Sequence, residues 1–173
     1  MGIPAASRRR PSEGAGVVPK VRVVLRLGEL GLVATEAVDA GQAILLLDGV
    51  LSPTPTRESV QIGPALHVGI PPELPAADRQ RRYLWRFLNH SCQPSARVVG
   101  DLVVAIDRVE AGGDVTFDYQ TTEIELSNPF QCQCGHCGGA WIRGFRHLSA
   151  EEQLRRAPWL ADHLRRAMPV GEG

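Results

Sequence analysis

Four cysteines constrain this 173-residue chain more than any other feature. Cys132, Cys134 and Cys137 fall within "CQCGHC", and Cys92 lies forty positions before the first of them. A structural zinc site takes four ligands in a tetrahedron, and thiolates fill it when the ligands are all cysteine. The cluster supplies three, and Cys92 is the remaining thiol. The simplest closed site joins the two segments. Redox chemistry is a second reading of Cys-x-Cys and Cys-x-x-Cys, although no thioredoxin-like βαβ pattern surrounds them. In a third, His136 or His147 replaces a thiolate, and in a fourth the thiols are buried bystanders. If zinc is bound, residues 130–140 are fastened over residues 89–92, and any pocket between them exists only in the metal-bound form.

Composition bounds the rest. This length suits one compact domain, and an apolar fraction of 43% argues against disorder. The formal net charge is zero, which disfavours a partner bound by bulk electrostatics, so direct nucleic-acid binding is not expected. Eighteen arginines stand against the single Lys20, a bias that points to a GC-rich, bacterial coding sequence. No run reaches bilayer-spanning length, so no membrane partner is expected. Arg8-Arg9-Arg10 is not followed by an apolar stretch, and Met1-Gly2 lacks the Ser or Thr of a myristoylation signal. The expected location is cytoplasmic, where cysteines are thiols, catalytic groups or metal ligands.

Residues 1–18 are rich in Gly, Pro, Ser and Arg and read as a flexible arm. Beyond them, "VRVVLRL", "GLVATEAV", "GQAILLLDGV", "ESVQIG" and "LHVGI" are short β-branched or leucine-rich runs stopped by glycine, the punctuation of strands. Residues 75–86 suit a helix opened by Pro75, with Leu84 and Phe87 facing inward. "ARVVGDLVVAID" reads as a hairpin turning at Gly100-Asp101, and "GGDVTFDY" as a strand. Ser149 to Glu152 has the form of a capping box, followed by Leu154, Pro158, Leu160, Leu164 and Met168 at near-helical spacing. No Gly-x-Gly-x-x-Gly loop or internal repeat occurs. A β-rich domain closed by two short helices is expected.

The stretch around Cys92, "RFLNHSCQPS", is locally turn chemistry with an unexplained thiol. Together with "AGGDVTFDY" downstream and "FQCQCGHCGG" after it, it resembles the motif set of the SET-domain methyltransferases with a cysteine-rich post-SET segment. "GLVATEAVDAGQAI" resembles the strand pair that opens that domain, and the elements follow the family's order across residues 20–148. The resemblance implies a mainly β fold of short curved sheets, the β-clip, with a knot-like core and short C-terminal helices. It divides the chain into the arm at 1–18, a SET domain at 19–125, a post-SET zinc segment at 126–148 and a helical tail at 149–173.

The resemblance further implies S-adenosylmethionine as methyl donor, a lysine side chain of a protein or peptide as acceptor, and structural zinc on Cys92, Cys132, Cys134 and Cys137. By position, Tyr119 is the catalytic tyrosine and Phe117 lines the lysine channel, a phenylalanine that leaves room for di- or trimethylation. Asn89 and His90 contact the cofactor, Gly31 and Leu32 hold its methionine end, and Trp141 covers its adenine. Read alone, Tyr119 is a strand tyrosine with its ring in the core, and Phe117 is core two residues away on the same face. His90 read alone is hydrogen-bonded beside a turn. This sequence departs from the family pattern at Glu29, which replaces the first glycine of a Gly-x-Gly, and at Ser95, which replaces an asparagine. Two residues rather than four separate its last cysteines. Residues 101–125 carry seven acidic side chains and one Arg, a stretch that either steers a basic peptide or forms solvated loops. Residues 55–82, the substrate-groove segment of the family, are short. A small amine or peptide natural product as acceptor, or a catalytically silent zinc-binding interaction module, is the alternative reading.

Overall fold

The computed structural model describes residues 17–26 and 28–168. The arm at 1–18 therefore lies mostly outside the described residues, as do residues 169–173 of the tail. The glycine-stopped runs form twelve strands among the described residues, arranged in four small sheets.

The first sheet carries the site. β1 (Val21–Arg26) and β2 (Glu29–Ala34) form a hairpin in continuous register from Val21↔Ala34 to Arg26↔Glu29. Gly28 takes φ +86° at its turn, a conformation that costs glycine nothing. β10 (Asp114–Phe117) joins β2 antiparallel, and the two-residue β7 (Asn89–His90) joins β10 in parallel, His90 opposite Phe117. A parallel neighbour requires a crossing connection, so two distant motifs meet side by side. The second sheet is β3 (Ala43–Leu46), β9 (Leu102–Ala105) and β8 (Ala96–Val99), with Gly100 at φ +61° in the expected turn. The third is β4 (Val50–Ser52), β6 (Leu66–Gly69) and β5 (Ser59–Gly63). The fourth pairs β11 (Phe130–Gln131) with β12 (Trp141–Ile142) beside the cysteine cluster.

The three larger sheets close on one core in which Val38, Ile44, Val103 and Val115 are wholly buried. Each such side chain contributes about 1.5–3 kcal/mol. Short strands are sufficient here because every sheet buries a face.

Three expectations change in detail. "GLVATEAV" is strand only to Ala34, and Val38 then makes a single bridge to Val109. The helix expected over 75–86 is α1 (Ala76–Arg82) followed by a 3₁₀ turn at Leu84–Phe87. Tyr83 and Trp85 are both core residues, 2% and 3% exposed. Two residues apart on one α-helix they would face opposite ways, so the helix must break at Tyr83 for both to enter the core. In the tail, α2 (Ala150–Arg156) begins with the complete Ser149–Glu152 capping box, but Pro158 lies in a 3₁₀ turn that separates it from α3 (Asp162–Ala167). The break frees α3 to set its own register. Leu160 and Leu164 are buried with Phe145, while Leu154 is 65% exposed.

Gly49 shows how tightly the third sheet closes. It takes φ +154°, and a Cβ there would sit 2.2 Å from the Gly69 carbonyl oxygen. Gly49→Ala should lower unfolding free energy by about 2 kcal/mol or more in urea titrations, because the obstacle is backbone that cannot turn aside. Gly41→Ala, at φ +80° with open space around it, should cost only about 1 kcal/mol.

Candidate active site and cysteine centre

The fold closes the forty-residue gap between the cysteines. The four sulfurs lie within 4.8 Å of one another, with Cys92 Sγ 3.9 Å from Cys132 Sγ and Cys134 Sγ 4.0 Å from Cys137 Sγ. A zinc–thiolate tetrahedron with bonds of about 2.3 Å has edges of about 3.8 Å. The donor set therefore suits a tetrahedral thiophilic ion. Burial raises the thiols of Cys92 and Cys132, the latter to about 12, with neighbouring sulfurs adding to the shift. At Cys134 burial also raises, but the backbone N–H groups of Cys92 and His136 and the adjacent thiols outweigh it and bring the thiol to about 6. The Cys134 N–H points at Cys132 Sγ at 3.4 Å. N–H groups aimed at sulfur stabilise thiolate, the form a metal requires. His136 and His147 are not among the four clustered ligands, and His147 bonds Glu125 instead.

His90 joins this centre to Tyr119. Its Nδ1 accepts the Tyr119 backbone N–H at 3.2 Å, so Nε2 carries the proton and faces Cys92 Sγ at 3.3 Å. Burial lowers the imidazole's pKa, against the pull of Asp118; a neutral ring is what one accepted and one donated bond require. The His90 side chain is 3% exposed and is enclosed between the cysteine cluster and Tyr119. Tyr119 is half-buried, and its hydroxyl donates to the Leu88 carbonyl at 2.6 Å. Burial, then the charges of Glu123 and Glu29, push its pKa up to about 12. The phenol is neutral, with its hydrogen committed to Leu88 and its lone pairs free to accept. Phe117 lies against its ring at 4.8 Å between centroids, and Phe130 at 5.9 Å. Phe130 also touches His90, at 5.7 Å. Sequence reasoning missed Phe130, whose signal was only an aromatic two residues before Cys132.

Asn89 and Gly31 also meet. Asn89 Nδ2 donates to the Leu30 carbonyl at 3.0 Å, and a Cβ on Gly31 would lie 3.0 Å from that nitrogen. The backbone of β2 is thus left open beside Asn89 by a glycine. Leu32 is 2% exposed and its side chain belongs to the core. Trp141 is 62% exposed on β12 and lines a groove of about 730 Å³ with Cys92, Gln93, Asp118, Arg156 and Trp159; Asn89 and Gly31 do not line it. Ser95 ties β10 down: its hydroxyl accepts from Thr116 N at 3.0 Å and donates to the Asp114 carbonyl at 2.8 Å.

The acidic stretch is partly buried and, where exposed, largely paired. Asp118 and Glu123 are buried, Asp114 pairs with Arg26, Glu110 with Arg108, and Glu125 with Arg146 and His147. Most of that charge is already matched, which weakens the case for steering a basic peptide. Glu123 anchors a buried polar cluster. Its Oε1 accepts the Gln61 N–H at 2.7 Å, its Oε2 lies 3.9 Å from His67 Nε2, and burial raises its carboxyl to about 7 despite the Gln61 and Thr122 bonds.

The SET domain family model matches residues 29–120. The chain belongs to the SET-domain methyltransferase family. Among curated relatives it is 32% identical over 120 residues to Methyltransferase flvH of Aspergillus flavus, covering 66% of this chain and 60% of that protein. It is 36% identical over 66 residues to Histone-lysine N-methyltransferase ASHH2 of Arabidopsis thaliana, covering 32% of this chain and 4% of that protein. The chain thus spans only part of either relative. A crystal structure of KRYPTONITE in complex with mCHG DNA and SAH superposes with a TM-score of 0.52 at 17% identity, over 71% of this chain and 28% of that one. It shares the fold. No helix among the described residues is long and apolar enough to cross a membrane.

The raised Glu123 carboxyl sets a pH dependence. Its folded pKa of about 7 exceeds the reference value of 4.5, so the folded state retains a proton that the unfolded chain releases. The associated stability is fullest below the reference value and is lost as pH rises through 7. Glu123→Gln removes this titration. Urea titrations should show its stability relative to the parent rising by about 2 kcal/mol between pH 5 and pH 8.

Proposed function

We propose that this chain transfers a methyl group from S-adenosylmethionine to the side-chain amine of a lysine in a protein or peptide, and that zinc on Cys92, Cys132, Cys134 and Cys137 holds the site together. The observation that carries the reading is the Tyr119 hydroxyl: neutral, with its hydrogen spent on Leu88, set between Phe117 and Phe130. When bound, the cofactor supplies an electrophilic methyl on a sulfonium.

The residues divide the work. Gly31 leaves room beside Asn89 for a ligand to approach the β2 backbone, and the His90 backbone lies next to it. Trp141, exposed on β12 beside the cysteine cluster, would cover the adenine. Phe117, Tyr119 and Phe130 form an apolar wall that favours the neutral form of an entering lysine by desolvation. A neutral amine aligned with the methyl needs no dedicated base, and alignment along one axis is worth several kcal/mol. The Tyr119 oxygen accepts from the amine or the polarised methyl and fixes that axis. Zinc would supply no chemistry to the transfer; bonded to Cys92, it would hold His90 against the Tyr119 backbone N–H.

The test supplies methyl-labelled S-adenosylmethionine with cell extract and separates protein from small molecules. Label should appear on protein lysines, and Tyr119→Phe should reduce its rate about a hundredfold. Label confined to small molecules would replace the lysine acceptor by a small amine; no label and no cofactor binding would leave a zinc-binding interaction module. Cys92→Ala should lower bound zinc, measured by atomic absorption, and methyl transfer together. Full transfer by zinc-free protein would remove the metal from the proposal.

A further inference from the structure

The family match ends at residue 120, yet the turn that carries Tyr119 runs on to Glu123 and is held from behind by the segment after the cysteine cluster. Asp118 Oδ2 accepts the Arg156 Nε–H at 2.7 Å, and both groups are largely enclosed. The Thr121 carbonyl accepts the Ala161 N–H at 2.9 Å. The Thr122 carbonyl accepts His163 Nε2–H at 2.7 Å; Thr122 is wholly buried and His163 is 7% exposed. The Glu123 carbonyl accepts the Phe145 N–H at 2.8 Å. Inside the turn, the Tyr119 carbonyl accepts from the N–H groups of Thr122 and Glu123, and Asp118 accepts from Gln120 N. The second hydrophobic cluster, Phe145, Leu160 and Leu164 with Ile124 packed against it, secures the same contact.

We infer that residues 149–168 form a clamp on the catalytic turn, in which Arg156 and His163 are positioning residues that fix where the Tyr119 hydroxyl points. Four buried or half-buried acceptors of the turn, the Asp118 carboxylate and the carbonyls of Thr121, Thr122 and Glu123, find donors after the cysteine cluster: Arg156, Ala161 and His163 within residues 149–168, and Phe145 just before them. Left unpaired, each would cost free energy comparable to a lost hydrogen bond. A 3₁₀ turn of three residues, Tyr119–Thr121, has little rigidity of its own. Its orientation must come from what it is tied to. On the opposite side, Gln61 of β5 donates to Glu123 and accepts from Ile124 N at 2.9 Å. The turn is thus gripped between the third sheet and the tail. The bond from His163 can be imitated by glutamine, whose Nε2 is also a donor, and not by leucine.

The inference rests on the methyltransferase reading only for its effect on rate, so its test has two readouts. The full-length, zinc-loaded chain is made with 3-fluorotyrosine, which places fluorine at Tyr83 and Tyr119 alone; Tyr83→Phe assigns the two resonances. His163→Leu and Arg156→Met should each shift or broaden the Tyr119 resonance and leave that of Tyr83, which lies in the main core, in place. His163→Gln should restore the parent spectrum. In the labelled-methyl assay on extract, the same two variants should lose about tenfold in rate at saturating cofactor, with half-saturation by cofactor unchanged, as expected for a displaced reacting group. An unmoved Tyr119 resonance in both variants would overturn the clamp. So would equal movement of Tyr83, which signals general loosening. Should the parent transfer no label, the methyltransferase reading fails and the fluorine spectra still decide the clamp.

Discussion

The contact on which the site depends is the approach of Cys92 Sγ to the sulfurs of the later cluster. It joins two segments that share no sheet, and through the His90 imidazole it reaches the backbone of Tyr119. One neutral ring, accepting on Nδ1 and donating from Nε2, serves as the spacer between a metal-type centre and an aromatic site. Because both ring nitrogens are committed, His90 has no spare group for acid–base work. Under the proposed methyl transfer, the site would act by placement, since a neutral amine on a fixed axis needs no proton carrier.

A second dependence runs from the opposite side. The Tyr119 turn is too short to hold its own direction, and its acceptors are satisfied by the Gln61 N–H before it in sequence and by Phe145, Arg156, Ala161 and His163 after it. Buried polar groups of this kind specify one arrangement because alternatives leave them unpaired. Glu123 is the exception that carries a cost, a carboxyl kept in an environment that favours its protonated form. It sits where the third sheet, the turn and the tail meet.

Much of this was legible beforehand. The glycine-stopped runs located the strands, the Gly100 turn fell in its expected place, and the Ser149–Glu152 capping box formed as spelled. The four cysteines converged as their count implied. Other features were not legible because they depend on partners far along the chain. Helix periodicity over 75–86 was overridden at Tyr83, where two core aromatics two residues apart could not share one helix face. The acidic residues of 101–125 read either as a steering stretch or as solvated loops, and no local pattern showed that Asp114 and Glu125 pair with Arg26 and Arg146, distant in sequence. Phe130 gave only the weak signal of an aromatic two residues before Cys132.

By itself, then, the sequence determined the strand-forming segments, the cysteines that converge and the ordered motifs that identify the family, since residue type and short spacing carry those directly. Only the tertiary structure decided which way each group faces. The parallel pairing of β7 with β10 sets His90 beside Phe117, a relation between residues twenty-seven apart that no local pattern encodes. The same holds for the tail, whose spacing predicted helices but not that their donors would satisfy the turn bearing Tyr119. Hydrogen-bond partners buried across long sequence separations are chosen by the closing of the core, and that choice gives the Tyr119 hydroxyl its direction.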